Sequence, residues 1–138
     1  MITSLREQLQ RDEGLRLRVY LDQYNHATVG YGHNLDAHGI SEAIATALLE
    51  EDITRATADV LSRIPAAMSL DEVRRAVLVA MAFNIGIGGL LGFKDLLEAL
   101  ELQDWPASAK AILDSKYARQ VGERAHRLAE QMVSGAWQ

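Results

Sequence analysis

The sequence predicts a mainly α protein of the α+β class, with one small sheet near the N terminus. Apolar and polar residues alternate over Leu15–Leu21, which is typical of a strand, and the β-rich segment Ala27–His33 supplies a returning strand. From Ser41 onward, apolar residues recur at helical spacing. A chain of 138 residues is long enough to bury a core as a single domain.

The first elements are a short helix and a hairpin. Ser4 and Glu7 stand at the positions of a capping box, and Gly14 is a suitable stop, so a helix is predicted over residues 3–13. The alternation that follows predicts a half-buried strand, and Gln23–His26 is turn-like.

The rest of the chain is predicted to be helical. Ser41 caps a long helix over residues 41–64, which ends at Pro65. A second capping box at Ser69–Glu72 opens a helix that is apolar around most of its circumference, so this helix belongs in the middle of the core. Glycines near Asn84 then break the chain. Further helices are predicted over Phe93–Leu102, Trp105–Asp114 with Asp104 as cap, and Glu123–Ser134 with Gly135 as stop.

Composition and charge exclude several functional classes. The absence of cysteine excludes a disulfide framework, a thiolate metal site and a cysteine nucleophile. The net charge is −5 and the one basic stretch, Lys116–Arg127, is short, which argues against general nucleic-acid binding, although this stretch could face an anionic polymer. No segment approaches the roughly 18 apolar residues of a membrane span, and the start turns charged before the apolar region of a signal peptide can form. We therefore expect a protein that folds in the cytoplasm, unless a longer precursor was trimmed.

Three polar residues stand where the local structure changes, namely Glu13, Asp22 and Thr28. In a hairpin, Asp22 and Thr28 are expected nearly opposite each other, where a carboxylate and a hydroxyl could hold one water molecule. Two carboxyl groups about 6.5–9.5 Å apart, with a water, are the parts of an inverting glycosidase. The alternative is that Glu13 is only solvated and Thr28 only favours a strand, and the sequence does not determine the distance to Glu13.

The residues around this trio resemble one family. The run RDEGLRL at 11–17, then Tyr20, Asp22 and TVGYGH at 28–33, is similar to the phage-type lysozymes, also called endolysins or muramidases. The trio falls on that family's catalytic triad. The resemblance covers nearly the whole chain and resumes at Ser69–Ala76, Phe83–Gly86, Gly92–Phe93, Trp105, Tyr117, Arg124–Ala125 and Gly135–Trp137.

The resemblance implies a lysozyme-like fold and a peptidoglycan substrate. The implied reaction is hydrolysis of the β-1,4 bond between N-acetylmuramic acid and N-acetylglucosamine with inversion. Glu13 would be the general acid, and Asp22 and Thr28 would hold and activate water. The implied architecture is a single domain with a small β-containing lobe at about 14–40, a connecting helix at about 41–64, and a helical lobe at about 65–138 that includes the N-terminal helix 3–13.

The resemblance also implies supporting residues. Arg124 stands where the family places an arginine that pairs with the catalytic glutamate, and Asn84 replaces a glutamine that lines the substrate cleft. Tyr117 replaces a tryptophan and is as compatible with the core as with a sugar platform. Tyr31, within the TVGYGH run, is a further supporting candidate.

His33 is expected to form a structural pair with Asp52 on the long helix. The segment between His33 and Ser41 is shorter than in the best-known members, which puts their extra substrate contacts in doubt here. No metal is expected, because the candidate ligands cross a hairpin and a loop instead of forming a compact motif. These ligands are His26, His33, Asp36 and His38.

The leading hypothesis is a muramidase that needs no cofactor, binds no nucleic acid and does not insert into a membrane. It would accumulate as a monomer in the host cytoplasm until a holin-type protein opens the membrane. Two alternatives stay open, a lytic transglycosylase and a non-catalytic peptidoglycan-binding module. A reducing end in the product supports hydrolysis, and an anhydro-sugar supports the transglycosylase.

Overall fold

The computed structural model describes all 138 residues and divides into two compact units, Met1–Leu48 and Leu49–Gln138. The mainly α, α+β class is confirmed. The elements are α1 (Leu5–Glu13), β1 (Arg16–Leu21), β2 (Ala27–Gly30), β3 (His33–Asn34), α2 (Leu35–His38), α3 (Glu42–Arg63), a 3-10 helix (Pro65–Ser69), α4 (Glu72–Leu91), α5 (Lys94–Glu101), α6 (Trp105–Leu113), α7 (Lys116–Val121) and α8 (Glu123–Ser134).

Helix α1 opens the first unit and begins and ends as predicted. Ser4 is its N-cap, and the Ser4 hydroxyl accepts the backbone N–H of Glu7 at 3.2 Å. The Glu7 carboxylate accepts from the backbone N–H of Thr3 at 2.6 Å, so the second bond of the box reaches one residue further back than expected. Gly14, with φ of 70°, ends the helix.

A three-stranded antiparallel sheet in the order β1-β2-β3 forms the rest of this unit's frame. The strand pairing places Thr28 on the central strand, opposite Tyr20 of β1 and Asn34 of β3. Thr28 is the only buried residue of Met1–Leu48, at 3% exposure.

The prediction of a half-buried β1 is wrong, because Leu17 and Leu21 are 82% and 64% exposed. Within this unit, β1 pairs with β2, and its apolar side chains are left exposed.

Helix α4 lies in the core of the second unit, as predicted. Val77, Leu78 and Met81 are fully buried. Its N-cap is Asp71 and not Ser69, because Pro65–Ser69 is occupied by the 3-10 helix. The predicted break falls at Gly86, whose φ of 78° bends α4 without ending it.

Helix α4 also corrects the expectation about membrane spans. It has 20 residues and contains an 18-residue window with a mean hydropathy of 1.4, so it is long and apolar enough to cross a membrane by length and composition. The expectation that no segment approaches this length is therefore wrong. Core helices of globular proteins have the same composition, and the buried side chains of α4 favour that role.

The last helices follow the predicted caps. Asp104 caps α6 by accepting the Ala107 N–H at 3.0 Å, and the left-handed Gly135 ends α8. Helix α7 is not among the predicted elements; its N-cap is Ser115, whose hydroxyl accepts the Ala118 N–H at 3.1 Å. This cap signal is present in the sequence, but the helix has only 6 residues and its apolar period is too short to recognise.

Candidate active site

Glu13 is the last residue of α1 and is exposed to solvent. Its carboxylate lies over Gly32, since a Cβ placed on Gly32 would stand 3.1 Å from Glu13 Oε2. One turn earlier, Gln10 Nε2 donates to the Tyr31 hydroxyl at 3.3 Å. The end of α1 is thus held at the turn between β2 and β3, and the glycine leaves the room that the carboxylate occupies.

Asp22 follows β1 and is held by the turn that comes after it. Its Oδ1 accepts the backbone N–H groups of Tyr24 and His26, each at 2.8 Å. The hydrogen bond from the His26 N–H lowers the pKa of Asp22 below its ordinary value, and it outweighs partial burial, which acts in the opposite direction. Asp22 is therefore an ionised acceptor at neutral pH, with Oδ2 left free.

The Thr28 hydroxyl has a defined hydrogen-bond direction. Thr28 Oγ1 donates to the His26 carbonyl at 2.8 Å. Because a hydroxyl carries one hydrogen, Oγ1 can only accept from any further partner. The same His26 carbonyl also accepts the Asp22 N–H at 3.0 Å, so the backbone of His26 fixes both side chains.

The strand register corrects the expected pairing of Asp22 with Thr28. Thr28 stands opposite Tyr20, so Asp22 is two residues further along the same face. Diagonal neighbours in a sheet are about 7–8 Å apart, against about 4.5–5.5 Å for a direct pair. The wider spacing leaves room for a bridging water, which would donate one hydrogen to each of the two acceptors.

Three residues of this site were not predicted from the sequence: Gly32, His26 and Asn34. The His26 ring Nδ1 lies 3.0 Å from Asn34 Nδ2 and 3.7 Å from Asp22 Oδ2. The position of His26 in the turn, between Asp22 and Thr28, is a signal in the sequence that could have indicated its place in the site. The contact with Asn34 depends on the β2–β3 register and has no signature in the sequence.

His33 and Asp52 each have a partner within their own unit. His33 Nε2 is 2.6 Å from the Gly39 carbonyl oxygen, and Asp52 accepts from Arg55 at 2.8 Å. Their expected pairing joins the two units and stays a prediction.

The remaining supporting residues are placed as follows. Tyr31 is 45% exposed, and Asn84 is exposed on α4, two residues before the bend at Gly86. Arg124, near the start of α8, lines an apolar cavity of about 690 Å³. Tyr117 is 4% exposed and packs edge-on against Phe93 in the core. Burial raises the pKa of Tyr117, an effect that the Arg124 charge partly offsets.

Comparison with known proteins identifies the family. The model of the family described as phage lysozyme matches residues 10–131. The chain belongs to the phage lysozyme family. This phage lysozyme is an enzyme of the lysozyme type, a peptidoglycan hydrolase by class, as the resemblance implied.

The relatives of this phage lysozyme come from varied settings. It is 31% identical to the pre-baseplate central spike protein Gp5 of Enterobacteria phage T4, over 96% of this chain but 28% of that protein's length. It is 25% identical to a probable T4-type lysozyme 1 of Dictyostelium discoideum, over 98% of this chain and 96% of the relative. It is 30% identical to the endolysin of Salmonella phage P22, over 76% of this chain and 75% of the relative.

Proposed function

We propose that this lysozyme hydrolyses the β-1,4 bond between N-acetylmuramic acid and N-acetylglucosamine in peptidoglycan, with inversion. Glu13 is the general acid, Asp22 is the general base, and Thr28 orients the attacking water. The observation that carries the proposal is the pair of acceptors, Asp22 Oδ2 and Thr28 Oγ1, fixed by the backbone of His26. A water between them is left with a free lone pair for the sugar.

The proposed step conserves protons. Glu13 gives its proton to the glycosidic oxygen as the bond to the anomeric carbon breaks. The water oxygen attacks the opposite face of that carbon and passes a proton to Asp22. Exchange with solvent then returns both carboxyl groups to their starting states. Asp22 suits the base role because its lowered pKa keeps it ionised, while Glu13 has to be protonated at the moment of reaction.

Replacement of Glu13 by glutamine tests the acid. Glu13→Gln keeps the size of the side chain, and because Glu13 is exposed, the variant should fold as the wild type does. We expect the clearing of a suspension of outer-membrane-permeabilised bacteria to slow by about a hundredfold or more. Glu130→Gln, an exposed change on α8, is the matched control and should clear cells at the wild-type rate. A Glu13→Gln variant that lyses as fast as the control would overturn the acid assignment and favour a non-catalytic module.

We further propose that the setting is lysis of a bacterial host. The enzyme would act as a monomer, without a cofactor, and would reach the wall from the cytoplasm only after another protein opens the membrane. Expression of this chain in a bacterium tests the dependence. Cells should stay intact until chloroform permeabilises the inner membrane and should then lyse; lysis before permeabilisation would contradict the need for a partner.

A second setting is favoured by the likeness to the spike protein of phage T4, which covers 96% of this chain. In that setting, the enzyme would act locally on the wall as part of a larger assembly. Gel filtration of the purified chain with detection of its mass distinguishes the two, since a free endolysin elutes near 15.2 kDa and a module of an assembly elutes as a larger, self-associated species.

A further inference from the structure

We propose that His26 is a positioning residue that makes the attacking water of this lysozyme depend on pH. In its neutral form the imidazole is held by Asn34, and in its protonated form it pairs with Asp22 Oδ2 and weakens that oxygen as the acceptor of the water's proton. This inference rests on the proposed role of Asp22 as the base. It extends that role, because the family resemblance assigns nothing to His26.

The hydrogen bonds of Asn34 determine which nitrogen of the neutral ring carries the proton. Asn34 Oδ1 accepts the backbone N–H of Ala37 at 2.9 Å, as the N-cap of α2. The amide NH₂ group must therefore be the atom that lies 3.0 Å from His26 Nδ1. Since an NH₂ group only donates, Nδ1 accepts, and the neutral ring carries its hydrogen on Nε2.

Protonation of His26 reverses this arrangement. Nδ1 then gains a hydrogen and faces the Asn34 NH₂ group donor to donor, so their hydrogen bond is lost. Asp22 Oδ2 is 3.7 Å from Nδ1, close enough for a small ring rotation to form a charge-assisted bond. Asp22 Oδ1 is already occupied by two backbone N–H groups. Oδ2 is therefore the oxygen that faces both the imidazolium and the water, and a bond from the imidazolium makes it a weaker acceptor for the water's proton.

The surroundings of His26 favour this exchange. Besides Asp22, the carboxylate of Asp36 on α2 accepts the N–H of the next residue, Ala27, at 2.8 Å. The Tyr24 ring lies with its centroid 6.4 Å from that of His26. These groups and Asn34 are the polar and titratable neighbours that β3, α2 and the turn present to the ring. The Asp22 carboxylate attracts a protonated imidazole, since its Oδ2 lies 3.7 Å from Nδ1.

The proposal predicts that the lysis activity of the wild type falls on the acid side of its pH profile. Histidine is the side chain that changes charge between pH 5 and 8. Because the neutral ring leaves Asp22 the stronger base, the wild-type enzyme should lose activity as the pH falls through this range. Glu13 and the substrate contribute their own pH dependence, which cancels when a His26 variant is compared with the wild type at each pH.

The experiment is the ratio of lysis rates, variant to wild type, measured from pH 5 to pH 8. His26→Gln keeps the backbone groups that hold Asp22 and Thr28, and removes the titrating ring. We expect its ratio to rise several-fold, on the order of the loss of base strength in the wild type, as the pH falls from 8 to 5. His126→Gln, an exposed histidine on α8, is the matched control and should give a flat ratio. A flat ratio for His26→Gln would overturn the inference.

A second measurement does not depend on activity. A two-bond proton–nitrogen NMR spectrum of the imidazoles, with His26 assigned by its loss in His26→Gln, should show Nδ1 unprotonated at pH 8. A proton on Nδ1 at pH 8 would also overturn the inference. Asp22→Asn separates the two proposals. If Asp22→Asn keeps full activity, the proposed function fails and this inference with it; if it is inactive while the His26→Gln ratio is flat, only this inference fails.

Discussion

Thr28 donates its only hydroxyl hydrogen to the carbonyl of His26, at 2.8 Å. The bond makes Thr28 an acceptor toward any water beside it, in the same sense as the Asp22 carboxylate. Two acceptors hold a water by both of its hydrogens, and its oxygen lone pair is then directed away from them. This arrangement distinguishes a water-using hydrolase from an enzyme that needs only an acid.

Thr28→Val should separate the role of the hydroxyl from the role of the side-chain shape. Valine fills the same buried space but cannot accept from water, so we expect kcat to fall by about a hundredfold. The His26 carbonyl keeps the Asp22 N–H as a donor, and the free energy of unfolding should fall by only about 1 kcal/mol. Thr28→Ser retains the hydroxyl and should keep most of the activity. Equal kcat values for the two variants would show that the hydroxyl holds no reacting water.

Gly32→Ala should move the general acid. The added Cβ would stand 3.1 Å from Glu13 Oε2, and the flexible carboxylate has to shift, which we expect to lower kcat by about tenfold or more. Gly30→Ala is the matched control, since φ is +72° there and +78° at Gly32, and no atom lies within 4 Å of the added group. Both changes should lower the melting temperature alike, because a side chain at positive φ costs about 1–2 kcal/mol. An equal loss of kcat in both would assign the effect to backbone strain.

Arg74→Ala should destabilise the second unit. The Arg74 side chain is 16% exposed and donates to the carbonyls of Met132 and Val133, at 2.7 and 3.0 Å, at the end of α8. Its guanidinium also stacks on the Trp105 ring at 4.3 Å. We expect the free energy of unfolding, measured in urea, to fall by about 2–3 kcal/mol, since hydrogen bonds from a charged group are lost. Arg63→Ala, an exposed arginine at the end of α3, should change it by less than about 0.5 kcal/mol.

Asp71→Asn should change how stability depends on pH. Burial raises the pKa of Asp71, but the hydrogen bonds and charge of Arg74 outweigh it and lower the pKa below the ordinary value. A lowered pKa in the folded state adds stability above the pKa of the unfolded state and loses it as the pH falls through the folded value. Asparagine keeps the N-cap. Wild type should therefore be slightly more stable than Asp71→Asn at pH 7, by less than about 1 kcal/mol for a half-exposed pair. The difference should shrink as the pH falls below about 4 and vanish only below the lowered pKa of Asp71 in the folded state, and a difference that is constant with pH would contradict the ion pair.

The local part of the fold was predictable because its signals act within one helical turn. Ser4, Ser41, Asp104 and Gly135 each satisfy a backbone group three or four residues away, so the sequence contains both partners. The prediction that Ser69 caps α4 is wrong. The 3-10 helix that moves the cap to Asp71 depends on packing, which the sequence pattern does not contain. The burial of β1 was mispredicted for a similar reason, since alternation indicates a strand but not whether anything covers its apolar face.

The candidate site was predictable in its residues but not in its geometry. Family motifs identified the trio Glu13, Asp22 and Thr28. The register that sets Thr28 opposite Tyr20 follows from the conformation of the turn, which sequence patterns do not specify. This register also includes an irregularity between Arg16 and Tyr20. The same turn brings His26 to Asp22 and Tyr24, and the β2–β3 register brings it to Asn34. Residues that act through the backbone of a turn can be identified only when the conformation of the turn is known.

The most direct test of the account is the configuration of the first sugar product. Wild-type enzyme is added to soluble, uncrosslinked peptidoglycan strands in deuterated buffer, and the anomeric proton of the new reducing end is followed by NMR before mutarotation. A water held by Asp22 and Thr28 attacks the face opposite the leaving oxygen, so the α anomer should appear first from the β bond. The β anomer appearing first would contradict the direction of attack, and an anhydro-sugar in place of a reducing end would contradict the held water altogether.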